Sequence, residues 1–149
     1  MPTVSVTRRV HAPLAATQAL WYDTERWTEW VVGLERVVGV DPGWPSREGA
    51  TVTWCSNPAG RGTVRERVLE YVPGAGQSLA VADDMIEGEQ AVAFAPAAGE
   101  VEVSLTLRFR RSARGPFSAL VDALFSRRAT RDALAHTLER FAVAVDSRR

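Results

Sequence analysis

Beyond Pro116 the chain holds no glycine or proline, while the stretch from Gly33 to Gly115 is cut repeatedly by DPGWPSREG, NPAG, VPGAG, IEG and APAAG. Gly, Pro, Asn and Asp supply the backbone angles of turns, and Gly and Pro are the residues a helix interior tolerates least. The chain is therefore written as a meander of short strands followed by one long helix. Strands are expected over residues 34–40, 50–56, 61–72, 77–85, 89–95 and 100–111. The last alternates most cleanly, with Val101, Val103, Leu105, Leu107 and Phe109 on one side and Glu102, Ser104, Thr106, Arg108 and Arg110 on the other. Such a strand buries one face and wets the other.

Upstream, residues 3–11 alternate Val4, Val6 and Val10 with polar residues, so a further strand opens the chain. Pro13 ends it and stands at the first turn of a short helix through Tyr22. Asp23 and Thr24 can cap a second helix over residues 25–32, whose Trp27, Trp30 and Val31 share one face before Gly33 stops it. In the long helix, expected from Phe117 onward, Leu120, Leu124, Leu134, Leu138, Phe141 and Val145 mark an apolar stripe. Arg127, Arg128 and Arg131 interrupt it, so the helix either bends there or leaves the core. A core-facing arginine is costly to desolvate, so at least one of the three is expected to pair with an acid or line an opening.

The 149 residues suit a single domain, residues 1–149. Eighteen basic residues balance 18 acidic ones, so no positive field draws the chain to nucleic acid or to an anionic membrane. Every basic residue is arginine, and without lysine a side-chain Schiff base is excluded. One cysteine, Cys55, cannot form an internal disulfide, and with His11 and His136 it makes no zinc-ligand spacing. No metal or organic cofactor is expected. The chain lacks a signal-peptide pattern and an apolar run long enough to span a bilayer, so the expectation is a cytoplasmic protein without stable membrane insertion. The oligomeric state is left open, a homodimer included.

The order strand, two short helices, six strands, long helix carries local motifs that agree with one another. Ala12-Pro13 followed by DTERWTEW at Asp23 to Trp30, GATVTW at Gly49 to Trp54 and RVLEYVPG at Arg67 to Gly74 resembles the polyketide cyclase/dehydrase branch of the START-like superfamily, also called SRPBCC. The resemblance covers nearly the whole chain. It implies an α+β helix-grip fold, a seven-stranded antiparallel sheet wrapped around the C-terminal helix, with a cavity between them for a small, largely apolar molecule such as a lipid, polyketide or aromatic metabolite. Members of the superfamily bind lipids, cyclise polyketides, bind hormones or assist chaperones, so three functions stand open. They are binding, cyclisation or dehydration of a carbonyl substrate, and a co-chaperone-like or toxin-like protein-binding module.

If the cavity exists, strand parity places Val52 and Trp54, then Leu105 and Leu107, on its wall, opposed by Leu120, Leu124 and Phe125 of the helix. Each of these is equally at home in an ordinary core. Trp27 reads as structural, and Trp30, nearer Gly33, as the residue to stack on a ligand. In the strand with Arg65, Glu66 and Arg67, parity turns either both arginines or Glu66 inward, and the flanking residues do not decide which. Resembling aromatic cyclases carry an inward arginine just before the valine that matches Val68. That makes Arg67 the candidate catalytic residue, a donor able to stabilise an enolate oxygen.

Overall fold

The computed structural model describes residues 2–57, 62–111 and 118–146, with the side chains of the last stretch described from residue 127 on. Its elements are β1 (Thr3–Val10), α1 (Leu14–Tyr22), a 3₁₀ helix (Thr24–Glu29), β2 (Leu34–Val40), β3 (Thr51–Ser56), β4 (Thr63–Val72), β5 (Gly76–Ala82), β6 (Ile86–Ala97), β7 (Glu100–Arg111) and α2 (Ser118–Asp146). The seven strands form one antiparallel sheet in the order β1-β7-β6-β5-β4-β3-β2. From β2 to β7 each strand pairs with the next, and β1 crosses over to join β7. One helix laid on one face of a meander is the helix-grip arrangement that the strand rhythm and the motifs imply.

The helix-facing side of the sheet alternates as the strands demand. In β7, Val101, Val103, Leu105, Leu107 and Phe109 are all at most 2% exposed. In β3, Val52 and Trp54 share that side. Leu138, Phe141 and Val145 of α2 close the core from above. Thr137 fastens α2 to the neighbouring loop by accepting from the Val32 N–H at 3.1 Å, and the Arg140 guanidinium donates to the Glu29 carbonyl at 2.9 Å.

Two expectations are corrected. The second short helix is a 3₁₀ helix ending at Glu29, with the Asp23 side chain accepting from the Glu25 N–H at 3.3 Å. The turn between β5 and β6 lies at Asp83 to Met85 rather than at IEG. There the Asp83 carboxylate accepts from the N–H groups of Met85 and Ile86 at 2.7 and 2.8 Å, an aspartate mimicking a backbone turn. Gly88 consequently sits inside β6, where a Cβ would run into the backbone of Arg108. That glycine marks a close approach and not a turn.

In α2, Leu138 and Phe141 are buried as expected, whereas Leu134 is only half-buried and Arg127, Arg128 and Arg131 are exposed. Arg127 and Arg131 lie on the same helical face as Leu134 and Leu138. Around Arg127 to Arg131 that face of the helix meets water, and no ion pair to any of the three arginines is present among the described residues. The expected partner or place in an opening is absent, because the side chains reach water instead of a core.

Candidate functional site

Between α2 and the sheet lies a cavity of about 100 Å³. Its walls gather Trp21 from α1, Trp27 and Trp30 from the 3₁₀ helix and its end, Trp44 from the β2–β3 connection and Trp54 from β3. These are all five tryptophans of the chain. Leu79 and Leu105 complete the sheet side, with Ala133, Leu134 and Thr137 of α2 opposite. Trp21 and Trp30 stack at 4.7 Å between ring centroids, and both meet Phe141 edge-on at 5.0 and 4.9 Å. Such an aromatic wall offers flat apolar faces to a ring.

The indoles are held by their own N–H groups. Trp27 donates to the Trp21 carbonyl at 2.8 Å, Trp44 to the Tyr22 carbonyl at 3.1 Å, and Trp54 to Glu66 Oε2 at 3.3 Å. The Trp30 Nε1–H is buried and has no partner among the described residues. Gln77 donates its amide N–H to the Pro45 carbonyl at 2.9 Å, which leaves its Oε1 buried without a donor. Outside the wall, Tyr22 packs against Trp44, Tyr71 and Phe94, and burial first, then Tyr71, pushes its phenol well above the ordinary tyrosine range.

The polar strand is resolved in favour of Glu66. It is 7% exposed and lines the cavity, while Arg65 and Arg67 are exposed on the outer face. The expectation that Arg67 supplies a donor inside the cavity is therefore corrected: its neighbours Val64, Glu66 and Val68 take the inner side, so its guanidinium stands across the sheet from any ligand there. Of the other expected wall residues, Trp30, Trp54 and Leu105 do line the cavity. Val52 is buried in the core beside it, and Leu107 packs with Val4, Ile86 and Phe109 beyond it. The side chains of Leu120, Leu124 and Phe125 lie outside the described residues. Sequence reading missed Trp21, Trp44, Gln77 and Gln90 as wall residues. Trp44 sits in a segment whose prolines and glycine read only as a turn.

A broader depression, about 540 Å³, is on the outer face, floored by Ala80 and Ala82 and flanked by Arg65, Arg67, Arg108 and Arg110. It lies open to water, and Arg110 is paired with Glu87 across it. Exposed pairs of this kind contribute about 0–1 kcal/mol and are common on wet sheet faces. The aromatic cavity, the less open of the two, is the better candidate. Among the described residues no cluster of His, Cys, Asp and Glu could hold a metal ion, and no helix is long and apolar enough to cross a membrane.

The family model described as polyketide cyclase/dehydrase and lipid transport matches residues 1–146. No curated protein matches the chain. Among solved structures, a protein of Thermus thermophilus is 20% identical, with 98% of each chain covered and a TM-score of 0.78. A START superfamily protein of Mycobacterium smegmatis is 14% identical, with 99% of each covered and a TM-score of 0.77. Norcoclaurine synthase of Thalictrum flavum, in complex with dopamine and hydroxybenzaldehyde, is 7% identical, with 99% of this chain and 88% of that one covered and a TM-score of 0.72. At these identities the likeness is one of fold.

Proposed function

Because the chain belongs to the polyketide cyclase/dehydrase and lipid-transport family, we propose that it binds a small, largely apolar molecule in the cavity between the sheet and α2. The observation that carries this reading is the convergence of five tryptophans from four parts of the chain on one cavity. A core built only for stability needs no space there, since cores close-pack at crystal density. The volume narrows the ligand. About 100 Å³ falls below the roughly 300–1,000 Å³ of pockets for drug-sized molecules and near the roughly 150 Å³ of a dry cavity that admits benzene. An aromatic metabolite of one ring suits it better than a lipid chain or a multi-ring polyketide.

One observation favours a second reading, a cyclase or dehydratase acting on a bound carbonyl. Glu66 puts a carboxyl group into the wall, where it can give or take a proton. Arg67, on the outer face, has no part in that version. The protein-binding module has less support, since Val143 is the one large apolar residue of α2 strongly exposed among the described residues.

Native mass spectrometry of the purified chain, coupled to thermal unfolding with benzene or toluene, tests the binding reading. A co-purified small molecule, or a melting temperature that rises with probe concentration as mass action requires, is the expected result. A chain that carries no adduct and melts unchanged at saturating probe would overturn it.

A further inference from the structure

Two residues of the cavity wall carry buried polar atoms that ask for opposite partners. The Trp30 indole, 2% exposed, has an N–H that can only donate, and no acceptor for it is present among the described residues. Gln77, 5% exposed, keeps an amide oxygen that can only accept. Its orientation is fixed from the other end, because the amide nitrogen donates to the Pro45 carbonyl at 2.9 Å and a flipped amide would set two oxygens against each other. Buried polar groups in folded proteins are nearly always paired, so orphans of both kinds on residues around one cavity mark what is missing from it. Glu66 adds a carboxyl to the same wall.

The missing group must accept from Trp30 and donate to Gln77 or Glu66. A hydrocarbon does neither, and an ether or ketone only accepts. A carboxylate only accepts, and it would bring a second acid beside Glu66. A hydroxyl does both. Resting on the binding reading above, we infer that the ligand is a neutral, hydroxylated molecule of one ring, with phenol as its simplest form. The ring lies among the indoles, and the hydroxyl bridges the donor and acceptor that the protein leaves unpaired.

The test is calorimetric titration of the intact chain with phenol, toluene and anisole, three probes of similar size that differ in donor and acceptor. Two added hydrogen bonds of ordinary strength favour phenol by about tenfold or more over toluene, and the one bond that anisole cannot donate favours it by about threefold or more over anisole. In ¹H–¹⁵N spectra the indole N–H signal of Trp30 should move on adding phenol and stay nearly still on adding toluene. Trp30→Phe keeps an aromatic face and removes the N–H, so it should cut the phenol preference to about threefold. Should that variant fail to fold, the ratio measured on the unaltered chain decides. Phenol and toluene bound within twofold of each other would overturn the hydroxyl inference and leave the apolar cavity standing. Binding of none of the three would overturn both.

Discussion

Glu66 enters the cavity because the residues two before and two after it, Val64 and Val68, are core, each 0% exposed. The same strand blurs this message, since Leu69 keeps the outer parity of Arg67 and a bulge between Val68 and Glu70 then turns Tyr71 back towards the core. Arg67 follows the outer parity. Arg67→Ala should therefore leave stability within about 0.5 kcal/mol, by urea unfolding, and leave toluene affinity within error; a tenfold loss of affinity would return the arginine to the site. Tyr22 makes a prediction in pH. Its folded-state phenol titrates above the ordinary value of about 10, so above that pH the unfolded chain gives up a proton that the folded chain keeps. The associated stability is intact below pH about 10 and is lost as the pH climbs through the folded-state value. With no lysine in the chain to obscure this range, Tyr22→Phe should flatten the alkaline limb of a stability–pH curve. An unchanged limb would show that the phenol is not the group responsible.

At the scale of elements, the described buried side chains of α2 begin at Thr137 and run to Val145. Leu138 and Phe141 are at most 1% exposed, and Phe141 also props Trp21 and Trp30. Truncation to Ala should cost about 2–5 kcal/mol at Leu138 and about 3–5 kcal/mol at Phe141, read from denaturant midpoints. Losses under 1 kcal/mol at both positions would mean that the helix is not held. Phe141→Ala should weaken ligand binding as well, since it removes the support of two wall indoles, whereas Leu138→Ala should act on stability alone. The hairpin between β5 and β6 gives the complementary lesson. An aspartate side chain makes the turn at Asp83, and the glycine that looked like a turn, Gly88, is a strand residue without room for a Cβ.

At the scale of the molecule, the sheet brings residues far apart in sequence around a space that their own rings nearly fill. Trp44 makes a clear case, since it reaches the cavity from a connection and is tied there by its bond to the Tyr22 carbonyl. Trp44→Ala should enlarge the cavity and admit a two-ring probe such as naphthalene, which the unaltered chain excludes, while costing stability at or below the roughly 3–5 kcal/mol of a fully buried Trp→Ala change. Calorimetry with naphthalene on both proteins checks it. Equal exclusion by both would show that Trp44 does not limit the cavity.

The positions of the seven strands and the two α-helices were legible in the sequence because period and punctuation are local: alternation over Val101 to Phe109 and the absence of Gly and Pro after Pro116 need no partner to be read. So was the family, through motifs spread along the chain. The inward turn of Glu66, the outward turn of Arg67 and the size of the cavity were decided only by tertiary structure. Each depends on distant elements: the neighbouring strands and helix that cover the face on which Glu66 lies, and five indoles brought together from separate parts of the chain. No local pattern encodes how much space such side chains leave when they meet, because that space is a small remainder of close packing over the whole core.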